Sequence, residues 1–342
     1  MTDQVAFVGL GANAVCWYRC VLPAMALASD WMGIVGRPPE MRFVTGLVKG
    51  STQRPEWGDY KLVVVQQPRG REWARWIQAA RERGIKVVYE IDDYVHGIAR
   101  MPEHDFRQHF GRDDLAEMEL CMKLCDAMIC STDYLGRRYR KYNRHVHVCE
   151  NGLDLDRYRL TRPPRKTVNL GWAGATGHQR SVVGWLEAVG RIMERHDNTC
   201  FISIGQAFAD YFKSTFPTRV VSIPFTLVDI YPAAMTMFDI ALAPAGPGNF
   251  FRGKSDLRWL EAGALGIPTI ANPIVYPRIE HGITGFKAEN PQQVEELLEL
   301  LLGDEELRIE AGENARRYVV EERSMAVAAQ AWIQAFREIL TA

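Results

Sequence analysis

Phe238–Ile270 reads FDIALAPAGPGNFFRGKSDLRWLEAGALGIPTI. The apolar run ending at Ala243 predicts a buried strand, and the glycine- and proline-bearing stretch after it predicts a loop. After the loop a helix is expected, its first turn carrying Lys254 and Ser255 and its body LRWLEAGAL, and Gly266-Ile267-Pro268 turns the chain into another apolar run, Thr269 to Ala271. Strand, glycine loop and helix in this order suit a phosphate group. The first amides of a helix lack partners inside it, the macrodipole adds partial positive charge, and glycine lets an anion approach the backbone. Gly248, Gly253, Lys254 and Ser255 also satisfy the G-x-x-x-x-G-K-[ST] pattern of nucleoside-triphosphate loops. The stretch reads as an anion cradle, and its surroundings decide which anion.

Outward from this segment, short apolar runs alternate with amphipathic stretches, the pattern of parallel α/β sheets. Strands are expected at Val5 to Gly9, Met41 to Val44, Leu62 to Gln66, Lys86 to Ile91, Ala127 to Cys130 and Val146 to Cys149. The pattern restarts at Val168 to Trp172, Cys200 to Ile204, Val220 to Ile223, Ile240 to Ala243 and Thr269 to Ala271. Helices are expected at Glu72 to Arg83 and Thr132 to Tyr142. RYRLTRPPRKT, with Pro163-Pro164 and its charges, marks a linker. The last stretch, Ser324 to Leu340, sets Val327, Trp332, Phe336 and Leu340 among polar neighbours and is expected to pack on the first domain. The expectation is an α/β chain of two Rossmann-like doubly wound parallel-sheet domains facing a cleft. Residues 1–158 with 324–342 would form one domain and 159–323 the other.

With 342 residues, 47% of them apolar, there is material for two cores. The net charge of −1 gives no global footprint for a nucleic-acid backbone or an anionic membrane. Arg137 to Lys166 is a local basic run, either a solvated face with a charged linker or a patch for an anionic acceptor. The seven cysteines form no C-x-x-C pair, and no histidine cluster completes a metal site near Cys16/Cys20 or Cys121/Cys125. They read as small buried hydrophobes in a reducing compartment. No apolar stretch reaches the length of a membrane span and MTDQVAFVGLG has no leader-like pattern, so a cytoplasmic location is expected.

Several landmarks resemble the GT-B glycosyltransferases, in particular the retaining family 4. They are CENGLDLDRY (Cys149 to Tyr158), NLGWAGATGHQR (Asn169 to Arg180), FDIALAP, LEAGALGIP, EHGITGF and the NAR-x-YV-x-E helix. They follow the family's order from about Lys61 to the C-terminus. The resemblance implies transfer of a sugar from a nucleoside-diphosphate sugar, with retention of the anomeric centre, no metal and no tightly bound cofactor. The nucleotide sugar is then a co-substrate, bound as UDP- or GDP-type donor. The acceptor is left open among glycan, lipid, protein and modified DNA, and the oligomeric state is left open as well.

In such enzymes the second glutamate of a Glu-x7-Glu motif binds the ribose, and here that position is Glu261. The first glutamate is replaced by Gly253, so sugar recognition must be organised differently. The family also directs an Arg and a Lys at the diphosphate from the loop after the first donor-domain strand. Aligned on Gly174, the Lys position is Arg180 and the Arg position is Ala175. Lys254 is expected to supply the lost cation, with Arg252 a weaker candidate and Ser255 beside it at the helix start. Gly174 and Gly177 would let the nucleotide approach, and His178 could touch phosphate. Gly9 and Gly11 form a turn suited to phosphate or acceptor contact. VVYEIDD ends in Asp92 and Asp93 where relatives often carry His-Asp, so Asp92 would face the transferred sugar; the alternatives are a structural loop and a metal motif. Asn151 and Gly152 read as a structural turn, and Trp172, Phe225 and Tyr231 as core or as a stack for the base.

Three other readings compete. A sugar-nucleotide epimerase would use the same fold, and a non-catalytic nucleotide-sugar binder would accommodate the missing glutamate. A P-loop NTPase fits the local pattern. Yet its motif lies late in the chain, with no following strand that ends in an aspartate for magnesium.

Overall fold

The computed structural model describes residues 4–9, 13–27, 44–45, 60–101, 107–175 and 179–342. They form two compact units. One comprises Met1–Gly152, Gly253–Ser255 and Met325–Ala342, and the other Leu153–Arg252 and Asp256–Ser324.

The first unit holds β1 (Gln4–Gly9), β2 (Val44–Thr45), β3 (Tyr60–Gln66), β4 (Lys86–Ile91), β5 (Ala127–Cys130) and β6 (Val146–Val148). They pair in the order β2-β1-β3-β4-β5-β6, all parallel. Every residue from Leu62 to Gln66 and from Val87 to Ile91 is buried, as a parallel sheet covered on both faces requires. The helix Arg71–Glu82 turns Ala74, Ile77 and Ala80 inward at helical spacing. Thr132 caps the helix Asp133–Tyr139 by accepting from the Leu135 amide at 3.3 Å. The helix Met325–Thr341 belongs to this unit, where Trp332 and Phe336 lie 5.8 and 6.0 Å from the ring of Phe7 on β1.

The second unit holds β7 (Val168–Gly174), β8 (Thr199–Gly205), β9 (Val220–Ile223), β10 (Ile240–Ala243), β11 (Thr269–Ala271) and β12 (Phe286–Lys287), ordered β12-β11-β10-β7-β8-β9 and all parallel. Asn290 and Asp304 cap the helices Pro291–Gly303 and Glu305–Glu322 through the amides of Gln293 and Leu307. The chain runs outward from β7 through β8 to β9, then crosses back to β10 on the other flank of β7. The strand order therefore reverses between β7 and β10, and in open α/β sheets ligands bind outside the carboxyl ends of strands at that point. In the first unit the corresponding reversal lies between β1 and β3, at Gly9, Gln66 and Gln67.

The opening segment departs from expectation in one respect. Lys254 and Ser255 do not lie in the first turn of the following helix: a short helix, Asn249–Arg252, comes first, and the next, Leu257–Ala264, starts after Asp256. Phe250 and Phe251 are both buried and anchor the short helix, and Gly253, a poor helix former, ends it. The Arg252 amide bonds to the Gly248 carbonyl at 3.4 Å, so the G-x-x-x-x-G stretch is wound into a helical turn instead of an open ring of amides. That removes the geometric basis of the triphosphate-loop reading. Of the strand expected at Met41 to Val44, only Val44 falls among the described residues, in β2. The two-residue strand β12 was not expected, being too short to carry a periodic signal.

Candidate functional site

At the carboxyl end of β7 the last residue is Gly174, and the Arg258 side chain lies over it. A Cβ built there would come 2.5 Å from Arg258 Nη2 and 3.0 Å from Trp172 Cζ2. A side chain at residue 174 would have to displace the end of the Arg258 side chain from this position. The Arg258 guanidinium is 5.6 Å from the centroid of Trp172, which is 1% exposed and meets Phe208 edge-on at 4.6 Å. One turn along the same helix is Glu261, 4% exposed, which accepts a hydrogen bond from Tyr231 Oη at 3.3 Å. Burial first, and then Glu261, raise the Tyr231 pKa well above its ordinary value, so this phenol stays a donor. Burial likewise pushes Tyr276 up to about 12. Asp256, at the head of the helix, is clamped by both terminal nitrogens of Arg323 at 2.7 and 2.9 Å.

Beside Gly174, β8 ends at Gly205 with φ of 93°, a conformation that favours glycine. A Cβ there would meet the Gly174 carbonyl and, at 3.1 Å, Phe225 Cε1. Phe225 is 64% exposed, so of the three aromatics singled out in sequence it is the one presenting a ring to solvent, while Trp172 belongs to the core.

The first unit gathers a second set. Asp92 and Asp93 follow β4, with their backbone carbonyls held by Ser131 Oγ at 3.3 Å and Tyr139 Oη at 2.9 Å. Gln67, just past β3, has φ of 43°, unusual for a side-chain-bearing residue, and donates from Nε2 to Asp92 Oδ1 at 2.9 Å. Lys254 Nζ pairs with Asp93 Oδ1 at 2.7 Å. Burial, then Asp93 and Glu90, push the Asp92 carboxyl up to about 8, with Lys254 and Arg19 pulling the other way.

Beneath them lies a buried ion pair. Arg19, on the π-helical turn Trp17–Val21, donates to Glu90 Oε1 at 2.6 Å; the two side chains are 1% and 0% exposed. Burial raises the Glu90 pKa and Arg19 opposes the rise. Arg19 Nη1 also donates to the Cys149 carbonyl at 2.7 Å and to Asn151 Oδ1 at 2.9 Å, and Asn151 Nδ2 donates to Ser255 Oγ at 3.0 Å. Ser255 thus meets the Asn-Gly turn, and Thr132 Oγ1 donates to the Gly253 carbonyl at 3.4 Å.

The structure therefore sorts the candidates into two groups. Gly174 and Glu261 share the second unit with Arg258, which sequence reasoning missed. Gly9, Asp92, Gly253, Lys254 and Ser255 fall in the first. Gly11, Gly177 and His178 lie outside the described residues; Arg180 starts the helix Gln179–Arg195, and its side chain is likewise outside them. Much of the basic run is engaged internally: Arg162 and Arg165 share Asp239 at 3.5 and 3.3 Å, Arg157 pairs with Asp229, and Arg159 with Asp156 at 2.9 Å. None of the seven cysteines forms a disulfide, and six of them are buried. Among the described residues, no group of three or more His, Cys, Asp or Glu side chains could hold a metal, and no helix is long and apolar enough to cross a membrane.

No protein-family model matches this sequence, and no curated protein sequence does either. Solved structures do match. HepE of Anabaena, in complex with UDP and glucose, is 14% identical over 98% of this chain and 99% of its own, with a TM-score of 0.69. A glycosyltransferase from Rickettsia africae is 15% identical over 99% of each chain, with a TM-score of 0.68. A putative UDP-N-acetylglucosamine 2-epimerase from Listeria monocytogenes is 11% identical over 98% of this chain and 96% of its own, with a TM-score of 0.56. The two parallel-sheet α/β units, matched almost end to end by GT-B glycosyltransferases, give this chain the GT-B fold.

Proposed function

We propose that this protein transfers a sugar from a nucleoside-diphosphate donor to an acceptor, with retention at the anomeric carbon, without a metal and without a tightly bound cofactor. The observation that carries the reading is the reversal of strand order between β7 and β10, with Gly174 at the carboxyl end of β7 and Glu261 on the helix Leu257–Ala264 that follows β10. The solved structures support it, since HepE was crystallised with UDP and glucose on the same fold.

In this proposal Glu261 accepts from the ribose hydroxyls, Gly174 admits the diphosphate, and Arg180 and Lys254 are cations for it. Departure of the nucleoside diphosphate breaks the sugar–phosphate bond and builds negative charge on the leaving oxygen; cations stabilise that charge, and the same phosphate oxygen takes the proton the acceptor hydroxyl gives up as it bonds to the anomeric carbon. Asp92 faces the transferred sugar. With its carboxyl pushed up to about 8 it is mostly protonated at neutral pH, and can donate a hydrogen bond to a sugar hydroxyl. Family 4 membership, a hexosyl donor and a cytoplasmic site of action belong to the same proposal; the acceptor is a glycan, lipid, protein or modified DNA.

The Listeria neighbour favours a second reading, epimerisation of the nucleotide sugar without transfer. A panel of NDP-sugars incubated with the protein separates the two. Free nucleoside diphosphate with a glycosylated product supports transfer, an altered NDP-sugar supports epimerisation, and saturable binding without product supports a non-catalytic binder.

A further inference from the structure

We infer that Arg258 is the principal side-chain cation for the diphosphate of the nucleotide donor, an assignment that rests on the donor-site reading above. Three observations in the second unit carry it. The first is position: Arg258 Nη2 lies over Gly174, the last residue of β7, at the end of the sheet where the strand order reverses. A Cβ at residue 174 would push the guanidinium from its present position.

The second is that this guanidinium is supported on one face and makes no direct ion pair among the described residues. It stacks on the buried Trp172 ring, yet among the described residues it makes no ion pair or side-chain hydrogen bond. The neighbouring carboxylates are committed elsewhere, Asp256 to Arg323 and Glu261 to Tyr231. Trp172 Nε1 is also buried with no acceptor among the described residues. A half-buried arginine held by an aromatic face, with no direct ion-pair partner among the described residues, is arranged to receive an anion, and its planar fork suits two phosphate oxygens at once.

The third is spacing. Arg258 and Glu261 are one helical turn apart, roughly 5–6 Å between Cβ atoms. A single rigid helix can therefore hold the polar half of a nucleotide, guanidinium on phosphate and carboxylate on ribose. Lys254 is placed differently, with its ammonium on Asp93. The expected arginine of the loop after β7 is an alanine at residue 175, and Arg258 supplies a guanidinium next to the same glycine from the helix instead of the loop.

The test is calorimetric titration of the intact chain with UDP and with uridine, repeated with the guanine pair if the uracil pair does not bind. The ratio of the two affinities isolates the phosphate contribution and is insensitive to partial unfolding, which affects both ligands equally. Arg258→Gln is expected to reduce the UDP-over-uridine preference about 10- to 100-fold, the size of a lost charge-assisted hydrogen bond or two. Arg258→Lys should recover part of it, and Lys254→Ala should change it less than Arg258→Gln. An unchanged ratio in Arg258→Gln, or a larger loss in Lys254→Ala, overturns the assignment while leaving the donor site standing. Absence of binding by the unaltered protein in both nucleotide pairs overturns the donor site and this inference together.

Discussion

Lys254 Nζ lies 2.7 Å from Asp93 Oδ1, so the one lysine of the G-K-S segment is tied to an acidic pair at the end of β4. Asp92, next to that ion pair, is kept largely protonated at neutral pH by burial and by its carboxylate neighbours. A carboxyl whose pKa is raised in the folded state binds its proton there when the unfolded chain has already released it. Stability then falls as pH rises from the ordinary aspartate range near 4 to about 8. Asp92→Asn should flatten that slope, melting above the unaltered protein at pH 8 to 9, with the gap narrowing toward pH 5. Parallel melting curves across this range would show that Asp92 titrates normally.

Arg19 and Glu90 are fully buried and joined at 2.6 Å, so removing one leaves the other's charge in the core. Arg19→Met is expected to cost about 3–5 kcal/mol in urea unfolding, with the double variant Arg19→Met/Glu90→Gln recovering most of it. A double variant no more stable than the single one would mean that Arg19 acts chiefly through its contacts to Cys149 and Asn151.

Gly174→Ala adds a methyl 2.5 Å from Arg258 Nη2. Nucleotide affinity should drop at least about tenfold, the contribution of one hydrogen bond to a charged group, while the far-ultraviolet dichroism is preserved. Equal UDP affinity in the two proteins would contradict the placement of the diphosphate at this glycine.

Glu261→Gln tests the ribose contact. The unaltered protein should prefer UDP to its 2′,3′-dideoxy analogue, and the variant should lose most of that preference, since a hydrogen bond to a charged acceptor contributes roughly 1.5–3 kcal/mol. Retention of the full preference would return Glu261 to a purely structural partnership with Tyr231.

Much of the architecture was legible because parallel strands buried on both faces leave continuous apolar runs. β4, β5, β9, β10 and β11 begin and end where Lys86–Ile91, Ala127–Cys130, Val220–Ile223, Ile240–Ala243 and Thr269–Ala271 were read. β12 was lost because two residues, Phe286 and Lys287, carry no period. The helix start differs from the sequence expectation because Gly253 to Ser255 carry the phosphate-loop pattern but serve as a connector between two helices. Arg258 lies outside the family's pattern, which places its diphosphate cations in the loop after β7, where Ala175 stands. The available signal was its spacing from Glu261, R-x-x-E on one helix face, which sequence alone does not connect to Gly174. Phe225 needed its exposure to be told from the core residue Trp172.

The central claim is tested most directly by supplying UDP-, GDP-, ADP- and dTDP-sugars with a mixed acceptor extract and following released nucleoside diphosphate together with acceptor mass. The account predicts nucleoside diphosphate released in step with a sugar-sized mass increase on an acceptor, and loss of both in Glu261→Gln. Consumption of no donor and binding of none, or a product that is only an epimerised NDP-sugar, would contradict it.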